Sequence, residues 1–145
     1  MEWEDGMADI LYEFPVAASA ARVFAALSTA EGLDAWWTLA AVVGDGYELG
    51  FGAGYEWRAE VVERKEGVAF VLRMTVADDD WRGTLVGFRL EEREGVTWVG
   101  FSHTGWPEAN RHYRVSAFCW AMYLRLLKRY CETGEVMGYA GRLGA

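Results

Sequence analysis

The sequence predicts an α+β domain: a curved antiparallel sheet of about six or seven strands, two short helices after the first strand, and one long C-terminal helix lying across the sheet. Three observations carry this. Between residues 38 and 103 turn signals recur every 8–15 residues with no helical stretch between them, the pattern of an antiparallel meander. From about 110 to 133 apolar residues recur instead at i, i+3 and i+4, as on a helix packed by one face. The length, 145 residues, with 52% apolar content, suits one folded domain over 1–145, with a core of 8–134 and a glycine-bearing tail of 135–145 expected to be loosely ordered.

Residues 8–16 alternate Ile10, Tyr12 and Phe14 against Asp9, Leu11 and Glu13, which makes a strand that Pro15 closes. Ser19 is placed to cap a short helix over 20–28 with Val23, Phe24 and Leu27 on one face. A second short helix over about 30–37 follows, with Leu33, Trp36 and Trp37 apolar; Gly32 inside it costs up to about 1 kcal/mol relative to Ala. Strands are expected over 38–43, 47–51, 55–64, 68–74, 83–92 and 96–103, divided by Gly44-Asp45-Gly46, Lys65-Glu66-Gly67 and Glu94-Gly95 turns. The long helix buries a stripe of Tyr113, Ala117, Trp120, Leu124, Leu127 and Cys131, and Gly134 ends it.

A net charge of −8 argues against nucleic acid, whose binding depends on Lys and Arg contacts to phosphate, and against anionic membrane surfaces. No apolar run is long enough to span a bilayer. Cys119 and Cys131 lie about 18 Å apart along one helix, too far for a disulfide. Free thiols and an acidic start with no signal-peptide pattern lead to an expectation of a cytoplasmic protein.

Inward parity on the strands selects Phe70, Leu72, Met74, Phe88 and Phe101. With Trp120 and Leu124 from the long helix they either line an apolar pocket or fill the core outright. Trp36 and Trp37, adjacent on a helix, point about 100° apart, so either one sits in the core and the other at a cavity rim, or both serve packing alone. His103 ends the inward row. It is either a ligand donor or acid/base, or a core histidine satisfied by a backbone carbonyl or linked to the loop at 104–109. Arg58 and Arg73 fall on the outer face, and Asp78–Asp80 read as a solvated turn without the spacing of a calcium loop. No metal or cofactor motif is present: the glycines at 44–54 form no phosphate loop, and His103 and His112 have no ligand pattern around them. The long helix carries a second apolar row, Val115, Phe118, Met122 and Leu126, opposite Trp120. It packs under the tail, forms a homodimer seam, or stands as a scattered, mostly exposed row.

Val23-Phe24-Ala25-Ala26-Leu27 followed by Gly32-Leu33-Asp34-Ala35-Trp36-Trp37 resembles the opening signature of the SRPBCC (START-like, helix-grip) superfamily. Within it the chain is similar to the branch named for the C-terminal domain of the activator of the ninety-kilodalton heat-shock-protein ATPase. Phe101-Ser102-His103-Thr104-Gly105-Trp106 is similar to that branch's last strand, and Trp120, Leu124, Leu127-Lys128, Tyr130 and Glu132-Thr133-Gly134 to its terminal helix. The turn at 64–67 lacks the branch's usual proline, and Met74 stands where Trp is common. The resemblance implies a cavity between sheet and helix, with Trp106 added to its lining. Members variously hold apolar small molecules, act as cyclases or hydratases, carry lipids or bind a chaperone. The expectation drawn is non-catalytic binding of a small apolar or aromatic molecule. An enzyme of the cyclase or hydrolase kind using His103, and a chaperone ATPase-stimulating co-factor, stand as alternatives.

Overall fold

A computed structural model describes residues 8–144; the acidic start and Ala145 lie outside the described residues. The elements run β1 (Ala8–Val16), α1 (Ala20–Ser28), α2 (Ala30–Trp36), β2 (Ala40–Val43), β3 (Tyr47–Gly50), β4 (Glu56–Lys65), β5 (Ala69–Val76), β6 (Leu85–Arg93), β7 (Val96–Trp106) and α3 (Arg111–Thr133), then a 3-10 turn over Tyr139–Gly144. The seven strands form one antiparallel sheet in the order β1-β7-β6-β5-β4-β3-β2. This is the helix-grip arrangement the sequence predicts. β1 pairs with the last strand, so α1 and α2 carry the chain from one edge of the sheet to the other, and α3 returns across the inner face.

Each helix begins on a side-chain cap. Ser19 accepts from the Arg22 amide at 3.1 Å, Thr29 from Gly32 at 3.0 Å and Asn110 from Tyr113 at 3.0 Å. Gly134 stops α3 at φ 80°, the left-handed conformation that favours glycine. Gly32 does more than weaken α2. A Cβ there would lie 2.6 Å from the backbone of Ala25 and Ala26, so its missing side chain is what lets α1 and α2 touch.

The tail departs from expectation. Instead of hanging loose, it is pinned by Arg142, only 2% exposed. Its guanidinium donates to three backbone carbonyls: Asp34 at 2.6 Å, Met137 at 2.9 Å and Thr38 at 3.1 Å. Tyr139 adds a hydrogen bond to the Phe51 carbonyl at 2.8 Å. A buried guanidinium needs most of its donors satisfied, and these carbonyls supply partners that no composition count anticipates.

Candidate functional site

The inward residues of the sheet pack against one another. Phe70 meets Phe24 and Tyr47 with ring centroids 5.8 and 5.5 Å apart. Phe88 meets Phe101 at 5.2 Å, and Phe101 meets Trp120 at 4.6 Å. Leu72, Met74 and Leu124 are buried among them. The space these side chains were expected to line is therefore filled by their own rings, and the pocket reading gives way to the core reading for this set. Trp106, also fully buried, packs against His103, Trp81, His112 and Tyr113.

Trp36 and Trp37 are both buried, and their rings lie 21° from parallel at 5.8 Å rather than splayed. The cause is local: Trp37 is the cap of α2, with φ −122° and ψ −63°, so helical geometry does not set its direction. Trp36 donates its indole N–H to the Ala26 carbonyl at 2.9 Å and stays in the core. Trp37 reaches Trp120 at 5.1 Å and Phe51 at 5.6 Å, and its ring forms part of a cleft wall.

His103 has no exposed surface. The Trp120 indole N–H donates to its Nδ1 at 3.0 Å, and its Nε2 lies 2.8 Å from the Thr84 hydroxyl. That hydroxyl spends its one proton on the Trp81 carbonyl, at 2.5 Å. It must therefore accept from His103, which fixes the Nε2–H tautomer and leaves Nδ1 bare to accept from an indole that can only donate. Burial, with a smaller contribution from the nearby His112, lowers the His103 pKa to about 3. The imidazole is neutral, satisfied at both nitrogens and out of reach of solvent. This arrangement corrects the acid/base expectation for His103.

An open cleft of about 310 Å³ lies to one side of this core, between the β3–β4 turn and α3. Trp57 from β4 and Trp81 from the β5–β6 loop face each other at 4.8 Å, and Phe51 leans on Trp57 at 5.3 Å. Trp37, Tyr55 and Asp78 complete one side, Tyr123 of α3 and Tyr139 of the tail the other. A smaller lobe of about 200 Å³ shares Trp37, Trp57, Trp81 and Tyr123 and extends along α3 to Trp120, Cys119 and Ser116. Of the residues the sequence singled out for the ligand site, Trp37 and Trp120 reach these spaces, as does Val115 of the outer row; Phe51, Tyr55, Trp57, Trp81, Tyr123 and Tyr139 were missed. Trp81 is the least legible, sitting in an irregular loop with no periodicity. Its signal is chemical: a tryptophan after three aspartates carries a large apolar surface that gains from burial.

Trp81 is firmly held. It stacks on Trp120 at 5.8 Å, donates to Ser116 Oγ at 3.3 Å and carries the Thr84 hydrogen bond on its carbonyl. Its loop is tied to α3 as well, because Asp80 accepts from Asn110 at 3.2 Å and from His112 at 3.1 Å. The turn at 78–80 is thus partly structural rather than wholly solvated. Burial raises the pKa of Tyr123, Tyr139 and the Cys119 thiol, which keeps all three protonated at neutral pH. Burial pushes Cys131 up to about 12. Both cysteines are free. Among the described residues no group of three or more potential ligand side chains converges on a metal position, and no helix is long and apolar enough to cross a membrane.

The outer row of α3 is divided. Leu126 is 7% exposed and Met122 half-buried, with Met137 of the tail beside them, so these two do not present an open seam. Phe118 remains 78% exposed, with Val115 at 51%.

Comparison with known proteins agrees with this architecture. The family model described as Activator of Hsp90 ATPase homolog 1-like protein matches residues 17–132. The solution structure of the Aha1 dimer from Colwellia psychrerythraea is similar with TM-score 0.78 and 27% identity, covering 88% of this chain and 98% of that one. A Bacillus halodurans protein solved in solution has TM-score 0.71 and 22% identity over 89% of this chain and 100% of its own. CalU16 from Micromonospora echinospora has TM-score 0.68 and 15% identity over 92% and 83%. Comparison by sequence with curated proteins gives no match. With its matched segment running from the end of β1 to the last turn of α3, the chain belongs to the family of Activator of Hsp90 ATPase homolog 1-like proteins.

Proposed function

We propose that this protein binds, without chemical turnover, a small apolar or aromatic molecule in the cleft between Trp57, Trp81 and Tyr123. One observation carries the reading: seven aromatic rings from five separate segments converge on an open space of about 310 Å³. That is the lower end of the range of small-molecule pockets, enough for one or two rings. Leaving aromatic surface open to water forgoes hydrophobic stabilisation, and the walls are held by stacking and hydrogen bonds rather than left to collapse. The sealed, neutral His103 and the protonated Cys119 offer neither a base nor a nucleophile, which favours binding over the cyclase or hydrolase alternative. The chaperone co-factor alternative rests on the family's name alone. Free thiols fit a reducing compartment, so a cytoplasmic setting is part of the proposal.

Equilibrium dialysis of 2-naphthol against the purified protein tests the site. Wild type is expected to bind, and Trp57→Ala to bind at least about tenfold more weakly. Trp98→Ala removes an outward, 46%-exposed indole and should change nothing. Equal losses in both variants, or no binding to wild type, would refute the assignment.

A second reading concerns assembly. The exposed Phe118 and Val115 favour a homodimer seam on the outer face of α3, and the relative from Colwellia psychrerythraea is described as a dimer.

A further inference from the structure

The cleft is asymmetric in charge. The lining of its main part holds seven aromatic side chains and one carboxylate, Asp78, and no Lys, Arg or His; in the adjoining lobe His112 is paired with Asp80. Among the described residues the Asp78 carboxylate makes no ion pair, whereas its neighbours are engaged, Asp79 with Arg82 and Asp80 with His112. The faces of aromatic rings carry negative electrostatic potential, Trp most of all, and attract a cation within about 6 Å of the ring centroid. Three of the rings here are indoles: Trp37, Trp57 and Trp81. The phenols of Tyr123 and Tyr139 stay neutral, so the attraction would come from ring faces and Asp78 rather than from phenolate. Behind the lining, Arg142 lies 5.5 Å from the Tyr139 ring centroid, and each of its three nitrogens donates to a backbone carbonyl. A chain of net charge −8 adds a favourable long-range field.

We propose that the cleft selects an organic cation: a compact apolar or aromatic body bearing an alkylated ammonium or similar diffuse positive charge, seated among Trp37, Trp57 and Trp81 with its charge toward Asp78. This rests on the cleft being the ligand site and names the class of ligand it takes. An anionic ligand finds no basic partner there. A neutral ligand of the same shape gains the apolar contact alone.

Three probes of nearly the same shape and different charge separate these cases: choline, 3,3-dimethylbutan-1-ol and 3,3-dimethylbutanoate. Each is titrated into 15N-labelled wild-type protein at low salt, following the indole N–H signals of Trp57 and Trp81. Choline is expected to bind about tenfold tighter than the alcohol, and the carboxylate more weakly than either. Asp78→Asn is expected to reduce the choline preference severalfold while leaving alcohol binding unchanged. Alcohol binding as tight as choline would overturn the charge selection and leave the cleft as a neutral site. If none of the three moves the cleft indoles, the cation proposal fails, and the dialysis of 2-naphthol decides separately whether the cleft binds anything.

Discussion

The indole N–H of Trp120 donates to Nδ1 of His103 across 3.0 Å, and both side chains are buried. This bond joins the long helix to the last strand. It continues through Thr84 to the carbonyl of Trp81, a wall of the cleft. The core histidine thus holds the site in shape without entering it.

His103→Ala would strand the Trp120 donor in the core and open a cavity beside it. The expected loss is about 2–5 kcal/mol of unfolding free energy, read from urea denaturation. His103→Gln, which keeps a donor for Thr84, should lose less. A loss under about 1 kcal/mol for the alanine variant would show that the bond contributes little.

The same histidine predicts a pH dependence. Its folded pKa of about 3 lies below the 6.5 of an unperturbed imidazole, so the unfolded chain takes up the proton first on acidification. Its contribution is complete above about pH 6.5 and declines by about 1.4 kcal/mol per pH unit as the pH falls toward 3. Carboxylates titrate in the same range. The informative quantity is therefore the difference between wild type and His103→Gln, with wild type losing stability more steeply from pH 6 to 4. Parallel slopes would contradict a neutral, buried His103.

Arg142→Met should free the tail. It removes the donors to the carbonyls of Asp34, Thr38 and Met137, each worth about 1 kcal/mol and more when left unsatisfied. Limited proteolysis is expected to cut the variant after α3 well before wild type. Tyr139, no longer held on the Phe51 carbonyl, should leave the cleft, and 2-naphthol should bind more weakly. Arg142→Lys should not restore the wild-type cleavage rate, because one ammonium cannot span three carbonyls.

Phe118→Asp tests the proposed seam. The side chain is 78% exposed, so the monomer should fold with unchanged stability. Sedimentation is expected to give a dimer for wild type and a monomer for the variant. A dimer that persists in the variant would exclude the seam.

Much of this architecture is legible in the chain because periodicity reports burial. The alternation through Val99, Phe101 and His103 and the α3 stripe through Trp120 and Leu127 mark residues that are indeed sealed. The cleft is less legible for the opposite reason. Phe51, Tyr55, Trp81 and Tyr139 sit in turns, a loop and the tail, where no period relates sequence spacing to direction, and they meet only because distant segments are tied together. Trp57 and Tyr123 do lie on regular elements, but at half-buried margins that an inward-or-outward reading overlooks. Arg142 hides by composition, since an arginine in a glycine-bearing tail reads as solvated until its carbonyl partners are seen. Trp37 escapes its expected direction because it caps α2 instead of continuing it.

The central claim is that ligand enters an open aromatic cleft beside a filled core, and the tryptophans themselves report on it. In a 15N–1H titration with 2-naphthol, the indole N–H signals of Trp37, Trp57 and Trp81 should shift together and saturate at one affinity. Those of Trp36 and Trp106, sealed in the core, should stay in place. Shifts at Trp36 and Trp106 with none at Trp57 would put the ligand inside the core and contradict the account.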